Sequence, residues 1–268
     1  MISTEEYASL AGVAADARFR YGSDVNQFVD LYVPTTGALH PVVVLVHGGC
    51  WRERYDAKPL GGICSALKAA GLAVWSVEYR RNGNGGGYPQ TMLDVAQATD
   101  MLREVAAEYH LDLARVITMG HSAGGQLALW LAGRGRLGAT SPVYSATPLT
   151  ISGVVCLAGI IDLVAAADQG LCGEDLALVM CGTPDASPEH YQDASPMALL
   201  PLGVKQIHLV GALDEGILAN VRPYVEAAEV AGDDVRLVVI LDAGHFELVV
   251  ASTAAWEQVC AAAIELAG

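Results

Sequence analysis

Charged residues are scarce in this 268-residue chain, and basic ones are the scarcest: 17% of residues are charged, with 15 Lys and Arg against 30 Asp and Glu. The net charge of −15 disfavours binding to phosphate backbones and to anionic membrane surfaces, because both would repel it. Hydrophobic residues make up 53% of the chain, which argues against disorder and is typical of a compact globular protein. We therefore expect neither a nucleic-acid partner nor a membrane partner.

Long hydrophobic runs are also missing. The longest strongly apolar run, at residues 42–46, is far too short to cross a bilayer. The first six residues do not form the basic region followed by an apolar stretch that a signal peptide requires. The default expectation is a soluble, cytoplasmic protein.

The cysteines form no recognisable motif. The six are scattered through the chain, without a C-x-x-C pair or zinc-type spacing, so we predict no metal site. In a reducing compartment we expect most of them to be free thiols that pack as small hydrophobic side chains. Cys172 and Cys181 are close enough in sequence to form a disulfide, but free thiols are favoured there too.

Short apolar runs alternate with longer segments of helical periodicity, which indicates βαβ units. The predicted strands are residues 28–33, 41–46, 72–77, 115–119, 153–158, 206–210 and 235–241. The β-branched run at 42–46 is typical of a strand buried on both faces. These patterns predict the α/β class, with a doubly wound, mostly parallel sheet in a single domain over residues 1–268.

The alternation fails between Ile160 and Leu202, where glycines and prolines separate short helical fragments. In a doubly wound fold, an insertion at this place usually covers the C-terminal edge of the sheet, where ligands bind. We predict a short cap over residues 160–202 that shapes the ligand pocket. The alternative is a surface excursion without a catalytic role.

Gly120-His121-Ser122-Ala123-Gly124 carries the strongest catalytic signal. It follows a predicted strand and precedes an apolar helix, which is the context that a G-x-S-x-G nucleophile turn requires. The N-terminus of that helix favours developing negative charge. A serine hydroxyl is a weak nucleophile on its own, so Ser122 needs a histidine base and a carboxylate that orients the base.

His245 is the predicted base, because a loop after the last predicted strand would bring it beside Ser122. His190 remains an alternative base. Asp214 is the predicted acid, because it follows a strand and falls between the serine and the histidine, in the chain order of this fold. Its neighbour Glu215 is the residue most easily confused with it.

The predicted oxyanion hole combines the N–H of Ala123, next to the nucleophile, with those of Gly49 and Cys50 after the buried strand. Trp51 and His121 are candidate substrate-binding residues, although packing under the cap is an equal alternative for Trp51. We do not expect Cys50 to act as a nucleophile, because no histidine is placed to serve it.

Five segments resemble a known group of enzymes: His47-Gly48-Gly49-Cys50-Trp51, Glu78-Tyr79-Arg80-Arg81, Gly120-His121-Ser122-Ala123-Gly124-Gly125, Ala194-Ser195-Pro196 and Gly244-His245-Phe246. The first is similar to the H-G-G-x-W motif of kynurenine formamidase-like α/β-hydrolases and of bacterial esterases similar to feruloyl and acetylxylan esterases. The resemblance extends from about Tyr21 to the end of the chain. It implies the α/β-hydrolase fold, with Ser122, Asp214 and His245 as the catalytic triad. Formamidases often carry an aromatic residue where this chain has Cys50.

These observations predict a serine-dependent carboxylic ester hydrolase that acts through an acyl-enzyme on a small ester, without a metal or organic cofactor. An arylformamidase using the same machinery is the alternative enzyme, and a non-catalytic binding protein with the hydrolase fold is the alternative class. The expected partner is a small-molecule ester or amide, and the sequence leaves a homodimer open.

Overall fold

A computed structural model describes all 268 residues. One eight-stranded sheet runs through the molecule, with strands in the order β1-β2-β4-β3-β5-β6-β7-β8. Strand β2 is antiparallel to both of its neighbours, and β3 to β8 are parallel to one another. The strands are β1 (Ala17–Arg20), β2 (Phe28–Tyr32), β3 (His40–Val46), β4 (Ala73–Glu78), β5 (Leu111–His121), β6 (Gly153–Leu157), β7 (Lys205–Gly211) and β8 (Val235–Ile240).

Helices connect and cover these strands, as the sequence predicts for βαβ units. They are α1 (Thr4–Ala8), α2 (Gly61–Ala69), α3 (Gln90–Asp100), α4 (Leu102–Val105), α5 (Ala123–Gly133), α6 (Leu163–Asp168), α7 (Glu174–Val179), α8 (Pro188–Ala194), α9 (Glu215–Ala231) and α10 (Ala254–Ala267). Short 3₁₀ turns lie at Lys58–Leu60, Arg134–Arg136, Pro196–Leu199 and Glu247–Val249. No helix is both long enough and apolar enough to span a bilayer.

Helix α5 lies against β3, β5 and β6, the middle of the sheet. Almost all of its side chains are buried, because it is covered on several sides at once. The helix starts directly after the central strand β5, separated from it only by Ser122. The predicted nucleophile turn is therefore anchored to the most buried elements of the fold.

The predicted doubly wound, mostly parallel sheet is confirmed, and each of the seven predicted strands is present. The sequence missed β1, a half-exposed edge strand of four residues. It also missed the first part of β5, where Leu111 and Asp112 pair with the start of β3 before a bulge shifts the register. The helical segment after β4 is divided at Met101 into α3 and α4.

The cysteine prediction is wrong at one pair of residues. Cys50 and Cys172 form a disulfide with a Cα–Cα distance of 5.5 Å across a sequence separation of 122 residues. Cys181, the neighbour for which the sequence favoured a free thiol, is indeed a free, exposed thiol. Four of the six cysteines are free. Stable disulfides are typical of oxidising compartments.

Residues 160–202 contain the three short helices α6, α7 and α8. Helix α6 begins at the N-cap Asp162, whose side chain accepts from the N–H groups of Val164 and Ala165. Two links join this segment to the loop after β3. One is the Cys50–Cys172 bond, and the other is the Arg52 side chain, whose Nε forms an ion pair with Asp175 Oδ2 at 2.5 Å and whose Nη2 donates to the Cys172 carbonyl at 3.5 Å.

Candidate active site

Ser122 forms a sharp turn between β5 and α5. Its backbone has φ 56° and ψ −121°, a positive-φ conformation that a residue with a side chain rarely adopts. The Ser122 N–H donates to the Leu157 carbonyl at 2.9 Å, and its own carbonyl accepts from the Gly125 N–H at 2.9 Å. Because β6 and α5 hold both peptide groups, the strained turn persists and the hydroxyl group is presented at the end of the strand.

Two glycines make this turn possible. A Cβ on Gly120 would overlap the carbonyl of Gly124, and a Cβ on Gly124 would overlap the carbonyl of Val46. The turn thus approaches both its own helix and β3 more closely than a larger residue allows. This close approach explains why the motif has glycines on both sides of Ser122.

Asp214 and His245 meet at the ends of β7 and β8. The His245 Nδ1–H donates to Asp214 Oδ2 at 2.5 Å, so in the neutral ring Nε2 is the nitrogen that can accept a proton. Glu215 is exposed and starts helix α9. The alternative base His190 lies elsewhere, with Nδ1 donating to the Met180 carbonyl at 2.7 Å.

Ser122 and His245 line the same cavity. No hydrogen bond joins their side chains in this structure, and bonds of this kind are often long until substrate is bound. The structure therefore brings together all three residues that the sequence predicts as a triad, with the base and acid already paired.

His121 supports the His245 loop. Its Nε2–H donates to the His245 carbonyl at 2.9 Å, and the two rings lie 4.5 Å apart between centroids. Burial, together with the neighbouring His245, lowers the pKa of His121 well below its usual value, so its ring is neutral. His121 also lines the cavity, where the sequence predicted a substrate contact.

The loop after β3 carries the other predicted oxyanion donors. Gly49, Cys50 and Trp51 all have positive φ, at 110°, 50° and 54°. A Cβ on Gly48 would lie 3.0 Å from the Ser122 Cβ, so the loop lies directly against the nucleophile turn. This loop conformation brings its backbone close to Ser122.

The N–H groups of Gly49, Cys50 and Ala123 donate to no acceptor in the protein. Unpaired backbone donors at a partly enclosed site are uncommon in folded proteins. Gly49 and Cys50 line the cavity together with Ser122, and Ala123 is the first residue of α5. An oxyanion hole requires free backbone donors of this kind.

Trp51 does not line the cavity, so its prediction as a substrate contact is wrong. Its side chain is fully buried in the hydrophobic core, and its indole N–H has no partner. The physical reason is its size, because a large aromatic side chain stabilises a fold most when it is removed from water. The alternative, a packing role, fits the structure.

A buried polar cluster behind this loop was not identified from the sequence. Glu78 and Arg81 form an ion pair with almost no solvent exposure, and Glu78 Oε2 also accepts from the Ala57 N–H at 2.9 Å. His47 Nδ1–H donates to the Gly48 carbonyl at 2.8 Å, and its Nε2 accepts from Arg81 at 2.9 Å. These bonds fasten both ends of the loop. The signal in the sequence was Glu78-Tyr79-Arg80-Arg81, where charges follow a buried strand.

His47 lies 3.2 Å from Glu78 but is neutral. Burial, followed by the Arg81 charge, lowers the pKa of His47 to about 3. The ion pair in this cluster is therefore Glu78 with Arg81 alone. A buried ion pair by itself is weak evidence for stability. The clearer role of this cluster is to hold the loop after β3 in place through its hydrogen bonds.

The cavity above Ser122 has a volume of about 380 Å³. Beyond the catalytic groups, its walls come from α1, from the loop that follows Cys50, and from the residue after His245. The wall residues are Thr4, Tyr7, Ala8, Arg52, Arg54, Tyr55, Asp56, Pro59 and Phe246. No residue of the predicted cap at 160–202 lines it, so the expectation that this segment shapes the pocket is wrong for this cavity. The segment reaches the site through the two links to Cys50 and Arg52.

Comparison with known proteins agrees with this architecture. The esterase LipC of Mycobacterium tuberculosis is 30% identical over 192 residues, covering 67% of this chain and 46% of that protein. The kynurenine formamidase of Salmo salar is 30% identical over 145 residues, covering 54% of this chain and 45% of that protein. The chain thus spans slightly less than half the length of either curated relative.

Among solved structures, a truncated carbohydrate esterase from gut microbiota superimposes with a TM-score of 0.79 at 19% identity, covering 96% of this chain and 99% of that one. At that identity the likeness establishes the fold. The BD-FAE family model matches residues 29–203, which include the loop after β3 and the whole nucleophile turn. The chain therefore has the α/β-hydrolase fold and belongs to the BD-FAE family.

Proposed function

We propose that this protein is a serine-dependent carboxylic ester hydrolase that forms an acyl-enzyme on a small ester. The observation that carries the proposal is the shared cavity of Ser122 and His245, with the His245 ring already oriented by Asp214 at 2.5 Å. The relatedness to esterase LipC supports an ester as the substrate.

In the first half-reaction, Ser122 Oγ attacks the ester carbonyl while His245 Nε2 takes the hydroxyl proton. Asp214 stabilises the imidazolium that forms, because it already accepts the Nδ1 hydrogen bond. Negative charge develops on the carbonyl oxygen, where the free N–H groups of Cys50 and Ala123 can donate to it. The tetrahedral intermediate then collapses, and His245 gives its proton to the leaving alcohol.

In the second half-reaction, water replaces the alcohol. His245 Nε2 takes a proton from the water as it attacks the acyl carbonyl, and the same donors stabilise the second oxyanion. Collapse of this intermediate releases the carboxylic acid and returns the proton to Ser122. The residues of this chain supply each proton transfer in the cycle.

Arylformamidase activity is the second candidate, favoured by the similarity to the Salmo salar kynurenine formamidase. The same residues would cleave a formyl amide, with His245 protonating a leaving amine instead of an alcohol. The two activities differ in which substrate the cavity positions above Ser122, and both require a small-molecule ester or amide as the partner.

A substrate panel separates these proposals. Purified protein is assayed on 4-nitrophenyl acetate, 4-nitrophenyl butyrate and N-formylkynurenine, with the Ser122→Ala variant as the control. We expect ester hydrolysis that Ser122→Ala lowers by at least about a thousandfold in kcat. A clear preference for the formamide would replace the esterase proposal with the formamidase. Equal labelling of wild type and Ser122→Ala by a fluorophosphonate probe would instead identify a non-catalytic binding protein.

A further inference from the structure

The first eight residues form one wall of the cavity above Ser122. Thr4, Tyr7 and Ala8 all line it, and they lie on the five-residue helix α1. Such a short helix is marginal by itself, so its position depends on contacts with the rest of the protein. Those contacts lead directly to the catalytic histidine loop.

Helix α1 is fixed at its start by a capping box, in which Ser3 Oγ accepts from the Glu6 N–H and Glu6 Oε2 accepts from the Ser3 N–H. The carboxylate of Glu247 then joins two segments. Its Oε1 accepts from the Ile2 N–H at 2.5 Å, and its Oε2 accepts from the Gly244 N–H at 2.9 Å. Since Gly244 precedes His245, one buried carboxylate holds both this wall and the loop that carries the base.

The Tyr7 ring completes this connection. It stacks on Phe246, the residue after His245, at a centroid distance of 4.8 Å and an interplanar angle of 20°. It also lies 6.2 Å from the His121 ring. Only 9% of Tyr7 is exposed, and Tyr7 lines the cavity. The ring is thus a fixed surface beside the reacting groups.

The Tyr7 hydroxyl group has no hydrogen-bond partner in the protein, yet it is not sealed inside the core. A buried tyrosine usually finds a partner for its hydroxyl, so this free donor stands out. Burial raises the pKa of Tyr7, so the hydroxyl stays protonated and remains a donor.

Resting on the proposed esterase function, we propose that Tyr7 is a specificity-determining residue, whose ring walls the substrate site and whose hydroxyl donates a hydrogen bond to the substrate. The substrate class that this selects is an ester with an acceptor oxygen on its acyl or alcohol part, away from the reacting carbonyl. Such a substrate satisfies the free donor, whereas a purely hydrocarbon ester of the same shape leaves it unpaired.

Two pairs of shape-matched esters test this class. On the acyl side, 4-nitrophenyl 4-oxopentanoate is compared with 4-nitrophenyl pentanoate, and on the alcohol side, 2-methoxyethyl acetate is compared with butyl acetate. The measured quantity is the ratio of kcat/KM within each pair, for wild type and Tyr7→Phe. Intrinsic reactivity cancels when the ratios of the two enzymes are compared.

We expect Tyr7→Phe to lower the ratio of kcat/KM, oxygen-bearing member over hydrocarbon member, about two- to tenfold in at least one pair. Tyr7→Ala should lower both members of that pair, because it removes the wall as well. Tyr144→Phe is the matched control, since Tyr144 is 43% exposed and does not line the cavity. It should leave every ratio unchanged.

The inference is overturned if Tyr7→Phe, folded as shown by an unchanged melting temperature, alters neither ratio. If wild type still hydrolyses 4-nitrophenyl acetate in a Ser122-dependent manner, the proposed function stands and only the role of Tyr7 fails. If wild type shows no Ser122-dependent hydrolysis of any ester, the proposed function fails and the inference fails with it.

Discussion

The Cys50–Cys172 disulfide should make a large contribution to the stability of this protein. It closes a loop with a sequence separation of 122 residues, so it removes many conformations from the unfolded chain. The chain-entropy relation assigns such a loop about 5 kcal/mol at 25 °C. The unfolding entropy is about 2.1 cal/mol/K per residue. For a chain of 268 residues, loss of the disulfide should therefore lower the melting temperature by about 9 °C.

Scanning calorimetry on Cys172→Ala and wild type, both without reductant, measures this difference. Cys181→Ala is the matched control, because Cys181 is an exposed free thiol, and it should melt with the wild type. A thiol titration of the unfolded, unreduced wild type should find the four free cysteines. Because Cys50 carries a proposed oxyanion donor, Cys172→Ala should also lower kcat more than it changes KM.

Two results would refute this reasoning. If Cys172→Ala melted at the wild-type temperature, the bond would not restrict the unfolded chain as calculated. If the unreduced protein titrated with six thiols, the two cysteines would not be joined at all.

Three further predictions concern charge and protonation. Asp214→Asn should lower kcat about 10⁴-fold with little change in KM, because His245 loses the carboxylate that selects its tautomer; a kcat close to wild type would contradict the assignment. Glu78→Gln should lower the free energy of unfolding by about 3–5 kcal/mol in urea titrations, because it leaves the buried Arg81 without its counter-charge, and a loss below about 1 kcal/mol would argue against that. Burial lowers the pKa of His208 to about 3, so the unfolded chain binds a proton below pH 6.5 that the folded protein does not. Above pH 6.5 His208 therefore has no effect on the pH dependence of the free energy of unfolding. As the pH falls from 6.5 towards 3, His208 lowers the free energy of unfolding by about 1.4 kcal/mol per pH unit. In His208→Gln this contribution to the pH dependence should be absent.

Much of the fold could be read from the sequence, because its signals are local. The β-branched run of β3 and the apolar residues of β5 identify buried strands wherever they occur in a chain. The glycines around Ser122 mark a tight turn, because a larger residue there would overlap atoms a few residues away or atoms of the adjoining strand β3. Edge strand β1 was missed because a four-residue, half-exposed segment has no comparable pattern.

The candidate site was partly predictable for a related reason. Parallel strands end at the same edge of a sheet, so residues that follow β5, β7 and β8 are brought close together by topology alone. Chain order therefore favoured His245 over His190, which precedes Asp214, whereas Asp214 was chosen for its position after a strand and its neighbour Glu215 satisfied the same order. The pairing of Asp214 with His245 depends on this topology and not on the details of side-chain packing.

Other features depend on contacts between segments that are distant in the chain. Local sequence patterns do not predict such contacts. Cys50 meets Cys172 rather than any nearer cysteine, Trp51 turns into the core, and Tyr7 reaches the cavity from a helix too short to be recognised. By itself, the sequence determined the sheet and the order of the reacting residues, because local periodicity and connectivity are enough for both. Only the tertiary structure decided which walls enclose the cavity above Ser122, because those walls are assembled across more than 200 residues by packing and a shared carboxylate at Glu247.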